Sequence, residues 1–325
     1  MKKITDLSNT IGTTAALIKN SGDRCRVFLP PAWTSTLLHG IISPMHTHKD
    51  LLVFTDLDGT LLDYHTYSKE AALPALRSLQ EHDIPLVIVS SKTRAEIELM
   101  LDLPCMSQVF IVENGSAIFF RRELGLDPGD DTEPFGEYEA VILGMRYGKV
   151  LDILKQTSRE CGVRVRGFSD MDIPEIASLT GLDIESAARA KQREFSEPFL
   201  FEDDPSRLSA FIERLEEKGL SATTGGRFHH VLGRCDKGRA AKKVVDVYKK
   251  SHPGTARQIV ALGDSANDIP LLESADVAVI VRRHDNSCMD YTPGHTQEVI
   301  KPAGIGPVGW NEAVLDLIRR ESLPR

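Results

Sequence analysis

Leu51-Leu-Val-Phe-Thr-Asp56-Leu-Asp58-Gly59-Thr60-Leu-Leu-Asp63 is an apolar run that delivers two acids to one point of the chain. A run this apolar fits a strand buried on both faces of a parallel sheet, and the loop leaving the carboxyl end of such a strand is where open α/β sheets bind ligands. With residues 56 and 58 projecting the same way, one carboxylate is placed to attack while the other handles protons, and together they are placed to surround a divalent cation. Gly59 lets the chain turn sharply behind them. Asp-Gly is also ordinary turn chemistry, so the segment alone does not decide between a turn and a site. A calcium loop fits poorly: that pattern has its Gly sixth and a helix on each side, whereas Gly59 comes fourth after a strand.

Outward from this segment, strands and helices alternate. Strands are expected over 51–55, 84–90 and 109–112, with helices over about 69–82 and 92–102, the rhythm of βαβ units and a parallel sheet. A Gly-, Pro- and Asp-rich stretch, 125–136, marks a loop near a domain boundary. The texture then changes: helices near 147–160, 183–192 and 205–218 are interleaved with short strands at 163–166, 194–201, 221–224 and 228–232, which describes an α+β insert with its own small sheet. The first pattern resumes with strands at 258–262 and 277–281.

The bulk properties narrow the function. The chain has 325 residues, 41% hydrophobic and 26% charged, which suits a large core and more than one domain. A net charge of -8 and no basic stripe argue against nucleic acid as a partner. Cys25, Cys105, Cys161, Cys235 and Cys288 are scattered and form no Cys-x-x-Cys pair, which favours reduced thiols and a cytoplasmic location. No stretch approaches a membrane span, so no membrane partner is expected. Residues 1–49 contain only short apolar pieces between turn formers and are expected to be an irregular extension. His46 and His48 are two nearby histidines without further ligands, and Met45 offers a second start.

Three further segments carry chemistry suited to a phosphate. Ser90 ends an apolar strand before a helix start, where it either binds a phosphoryl oxygen or caps the helix. Lys237 lies in the first turn of an amphipathic helix, where a cation opposes the helix dipole unless an anion is bound. Asp264 and Asp268 follow a strand in Gly263-Asp-Ser-Ala-Asn-Asp268, four residues apart, ready to ligate or orient a hard cation.

Asp-x-Asp-Gly-Thr, then Ser, then Lys, then Gly-Asp-x-x-x-Asp, each at an element boundary, resembles the haloacid dehalogenase (HAD) superfamily of phosphatases over about 51–320. Within it, Ser91-Lys-Thr-Arg-Ala-Glu96, Val112-Glu-Asn-Gly-Ser-Ala117, Arg193-Glu-Phe-Ser-Glu-Pro-Phe199, Gly225-Gly-Arg-Phe-His-His-Val231 and Gly304-Ile-Gly-Pro-Val-Gly-Trp-Asn311 are similar to the mannosyl-3-phosphoglycerate phosphatase family. The resemblance implies an α/β fold: a Rossmann-like core over 50–135 and 232–325, with an α+β (C2-type) cap inserted at 136–231. It also implies hydrolysis of 2-(α-mannosyl)-3-phosphoglycerate to mannosylglycerate, a compatible solute.

On the family's pattern Mg²⁺ is held by Asp56, Asp264, the backbone carbonyl of Asp58 and, directly or through water, Asp268. Asp56 attacks phosphorus to form an aspartyl-phosphate, Asp58 protonates the leaving oxygen and then activates water, and Lys237 and Ser90 steady the phosphoryl oxygens. Candidates for reading the organic part are Lys92, Arg94, Glu113 and Asn114 from the core, and Arg166, Arg193, Arg227 and His229 from the insert. The competing functions are a phosphatase for glucosyl-3-phosphoglycerate or sucrose phosphate, a phosphomutase with the same first motif, and a non-catalytic module that kept the fold.

Overall fold

The central strand, β1 (Asp50–Thr55), sends successive side chains to opposite faces of a sheet and both faces are covered, which is why the whole run is apolar. Leu51 and Val53 pack with Leu76, Trp310 and Val314 on one side, whereas Leu52 and Phe54 pack with Ala241, Val244 and Leu271 on the other. Each such side chain removed from water contributes roughly 1.5–3 kcal/mol. The protein is described here by a computed structural model covering residues 50–101, 106, 108–225 and 228–322. The extension over 1–49, with Met45, His46 and His48, lies outside the described residues, as does Arg227.

In chain order the elements are β1, α1 (Leu73–Glu81), β2 (Leu86–Val89), α2 (Arg94–Glu98), β3 (Val109–Val112), β4 (Ala117–Arg121), β5 (Glu133–Phe135) and β6 (Tyr138–Ile142). There follow α3 (Tyr147–Cys161), β7 (Val165–Gly167), α4 (Ile173–Thr180), α5 (Ile184–Ala190), β8 (Ser196–Phe201), α6 (Leu208–Glu217), β9 (Leu220–Gly225) and β10 (Phe228–Gly233). The last group is α7 (Lys237–Ser251), β11 (Arg257–Gly263), α8 (Ile269–Leu272), β12 (Val277–Ile280), β13 (Glu298–Ile300) and α9 (Pro307–Ser322).

The larger sheet has nine strands in the order β13-β12-β11-β1-β2-β3-β4-β6-β5. From β13 to β3 all neighbours are parallel, and β4, β6 and β5 extend the sheet antiparallel. The sheet thus runs on to Ile142, beyond the 135/136 boundary expected from sequence, because the turn-rich loop that suggested a boundary leads into a hairpin of the same sheet. The smaller sheet, β7-β8-β10-β9, is antiparallel throughout. One apolar cluster joins Val150, Leu154, Phe211 and Leu215 of α3 and α6 to Phe199 and Val231 of this sheet, and a second packs α4 and α5 around Phe168 and Phe228. Among the described residues no helix is long and apolar enough to cross a membrane.

Candidate active site

Because β1, β2 and β11 run parallel side by side, their carboxyl ends open at one edge of the sheet and bring Asp56, Ser90 and Asp264 to the same rim. Asp56 leaves β1 with its N–H donated to Leu262 O (3.0 Å), and the chain then turns at Gly59, whose φ of +80° belongs to glycine. A Cβ on Gly59 would also sit 3.2 Å from Asp264 Oδ2, so the turn is closed against the acid of β11. Thr60 Oγ1 donates to Asp264 Oδ1 (3.3 Å). Behind the loop, Trp310 Nε1 of α9 donates to Thr55 Oγ1 (2.9 Å), fixing the end of β1.

Lys237, the first residue of α7, reaches into this rim with 1% of its surface exposed. Its Nζ lies 2.6 Å from both Asp56 Oδ1 and Asp268 Oδ1. Burial disfavours its ammonium, but Asp268 and Asp56 outweigh that and hold its pKa above the ordinary lysine value. Asp268 is fully engaged: Oδ2 accepts from the N–H groups of Asp264 and Ser265 and from Ser265 Oγ.

One oxygen from each of Asp56, Asp264 and Asp268 can lie within 4.8 Å of the others, the donor set a hard cation takes. Burial first, then the crowding of the neighbouring aspartates, drives the Asp56 carboxyl well above its usual range, with Lys237 offsetting only part. Burial and Asp268 likewise push Asp264 up to about 6. Asp58 Oδ1 is sheltered and has no hydrogen-bond partner. Carboxylates this crowded against so few cations fit a bound divalent metal ion.

Asp58 stands beside this cluster of carboxylates, and its Oδ2 pairs with Lys92 Nζ at 2.9 Å. Ser90 is buried and its Oγ accepts from the Lys92 N–H at 3.2 Å. The next strand end is strained: Glu113, Asn114 and Gly115 have φ of +47°, +59° and +97°. A Cβ on Gly115 would come within 2.2 Å of Asp236 O, so only glycine lets α7 begin here with Lys237 aimed at the rim. Asn114 donates its N–H to Ser90 O (2.9 Å) and accepts at Oδ1 from Asn267 Nδ2 (3.3 Å), while its own Nδ2 is buried without a partner.

Of the residues expected to read the substrate, Lys92 and Asn114 therefore line the rim. Glu113 and Arg193 are committed to each other and to the joint with the insert. Glu113 accepts from the N–H of Glu194 (2.9 Å), the N–H of Phe195 (3.1 Å) and Ser196 Oγ (2.7 Å), and Arg193 Nε approaches it at 3.4 Å. Arg94 turns to Glu98 and Glu194 and stacks near Phe119 and Phe135, away from the aspartates. Arg166 pairs with Glu175 and Glu202 inside the insert, and His229 Nδ1 shares a proton with Thr224 Oγ1 at 3.0 Å. The sequence reasoning missed Arg283, whose Nε donates to Asp264 O (2.8 Å). It follows β12, and the strand-end logic that found Asp264 applies to it equally. Tyr67 was also missed; its ring lies 5.0 Å from Lys92 Nζ.

The family profile of haloacid dehalogenase-like hydrolases matches residues 53–125 and 179–297. The chain belongs to this family. It is 40% identical over 272 residues to the glucosyl-3-phosphoglycerate/mannosyl-3-phosphoglycerate phosphatase of Methanococcoides burtonii, covering 83% of this chain and 98% of that protein. It is 38% identical over 266 residues to the protein of the same name from Persephonella marina, covering 81% and 96%. A phosphatase of the haloalkanoate superfamily from Bacteroides thetaiotaomicron shares the fold, with a TM-score of 0.56 at 19% identity over 86% of this chain and 98% of that one.

Proposed function

We propose that the chain, a phosphoric monoester hydrolase, removes phosphate from a 2-O-glycosyl-3-phosphoglycerate, yielding mannosylglycerate from the mannosyl substrate and accepting the glucosyl analogue. The observation that carries the hydrolytic reading is the Asp56 carboxylate gripped by Lys237 at 2.6 Å beside Asp58. The substrate class is supported by the two relatives named above, whose printed name couples the two glycosyl esters.

In this reading Asp56 attacks phosphorus in line, forming an aspartyl-phosphate and releasing the glycerate oxygen. Asp58 gives that oxygen a proton and then takes one from the water that hydrolyses the intermediate. Lys237 and Ser90 hold the phosphoryl oxygens, and Asp268 holds Lys237. Asp56, Asp264 and Asp268, with the Asp58 carbonyl, would hold the metal ion, for which we propose Mg²⁺. When bound, it would supply the positive charge that lets a carboxylate approach a phosphate dianion. Residues between β6 and α7 act as a cap that excludes water and reads the sugar, a role supported by β9 lying against Ala266–Asp268. A cytoplasmic site of action belongs to the same proposal and is supported by the free thiols of Cys161, Cys235 and Cys288.

The test is phosphate release, with and without Mg²⁺, from mannosyl-3-phosphoglycerate, glucosyl-3-phosphoglycerate and sucrose phosphate. The glycerate esters should be turned over fastest, without an activating bisphosphate, which separates a phosphatase from a phosphomutase. Preferred turnover of sucrose phosphate would overturn the substrate assignment.

A further inference from the structure

We infer that Lys92 is the specificity-determining residue for a carboxylate on the leaving group. This rests on the glycerate reading above and deepens it, because it says which side chain distinguishes an acidic leaving group from a neutral one.

The position of Lys92 supplies the first argument. Its Nζ is 2.9 Å from Asp58 Oδ2, so it stands next to the group that protonates the departing oxygen. In a 3-phosphoglycerate ester the carboxylate carbon is three bonds from that oxygen, about 3–4 Å away by ordinary bond lengths. A carboxylate leaving past Asp58 therefore comes within reach of Lys92 without any large movement of the chain.

The second argument is unused hydrogen-bonding capacity. An ammonium has three donors. Among the described residues, Asp58 Oδ2 is the acceptor within hydrogen-bond distance; Glu96 Oε1 stands off at 3.8 Å, and Glu96 Oε2 is taken by Thr93 N (2.9 Å) and Oγ1 (3.0 Å). Yet Lys92 is 7% exposed, so water does not freely satisfy the remainder. Nearby, Asn114 Nδ2 is buried and unpartnered. Sheltered donors without acceptors mark a place for an oxygen-rich anion.

The third argument is that Lys92 cannot drift. Its carbonyl accepts from the Glu113 N–H (3.0 Å), its N–H donates to Ser90 Oγ (3.2 Å), and the Tyr67 ring lies 5.0 Å from its Nζ. A fixed cation reads a charge at a fixed place, which is what selectivity requires. A hydroxymethyl or esterified group in that position would leave the ammonium with an acceptor that carries no charge.

The experiment compares kcat/KM for mannosyl-3-phosphoglycerate with that for its methyl ester, in the parent protein and in Lys92→Met, Lys92→Gln and Lys92→Arg. The parent is expected to prefer the carboxylate by about 10- to 100-fold, the size of a charge-assisted hydrogen bond. Lys92→Met and Lys92→Gln should bring the ratio to within about 3-fold of unity, and Lys92→Arg should keep a preference of about 10-fold. If either uncharged variant retains the parent's ratio while both rates fall together, Lys92 acts only by holding Asp58 and the inference is wrong. If the parent releases phosphate from both compounds equally well, no side chain reads the carboxylate and the inference is wrong while the glycerate reading stands; if it releases phosphate from neither, the glycerate reading itself fails.

Discussion

Asp56 sits between two demands: the proposed reaction needs it ionised to attack, yet burial and neighbouring aspartates press it toward the neutral form. Lys237 resolves part of this, and replacing Asp56 tests the proposed attack. Asp56→Asn keeps the size of the side chain and should lower phosphate release by at least about 1,000-fold with the fold intact by circular dichroism. A variant as active as the parent would remove Asp56 from the chemistry. Asp264, pushed up to about 6, makes the cation site sensitive to pH. A carboxyl raised in the folded state stabilises the metal-free fold when protonated; that contribution is complete below the ordinary carboxylate value and is lost as pH rises through about 6. A cation competes with the same proton, so Mg²⁺ affinity measured by calorimetry should fall by up to about tenfold per pH unit below 6. Affinity unchanged between pH 5 and 7 would contradict this.

At the scale of elements, the strained turn after β3 links the rim to the insert through Glu113. Its carboxylate is fully buried and meets Arg193, whose side chain is 3% exposed. Glu113→Gln leaves that guanidinium without its counter-charge and should cost about 3–5 kcal/mol in urea unfolding. A loss under about 1 kcal/mol would mean that the pair is dispensable. Glu113 and Arg193 look like substrate readers in the sequence because their segments carry the family resemblance, and because an acid suits sugar hydroxyls and a guanidinium suits a carboxylate. Nothing local reveals that two segments eighty residues apart close on each other. The long elements were legible: α3, α6 and the strands β1, β3 and β11 have unbroken periodicity. β5 was not, being a short edge strand with Pro134 inside it. α4 was also missed, although Asp172 caps its start, a Pro follows and Gly181 ends it, because its eight residues carry too little periodicity.

For the molecule as a whole, an anionic chain of net charge -8 binds an anionic ester only through local charge. Lys92, Lys237 and Arg283 supply some of it at the rim, and the metal ion proposed for the aspartates supplies more. Mg²⁺ binding to the folded state should therefore raise the unfolding temperature, by an amount equivalent to about 2.7 kcal/mol at a hundred times the dissociation constant. Scanning calorimetry with Mg²⁺ and with a chelator checks this, and Asp264→Asn should blunt the shift. Equal stabilisation of that variant would exclude Asp264 from the site.

The amino-acid order by itself determined the class of fold and the four segments that meet at the rim, because strand ends in a parallel sheet must face one rim and each segment carried its acid, hydroxyl or amine at such an end or at the helix start beside it. Only the tertiary structure decided which polar side chains remain available to a ligand. A side chain's partner depends on what packs opposite it: Glu113 meets Arg193 from the insert, whereas Lys92 meets a single oxygen of Asp58 and keeps donors to spare.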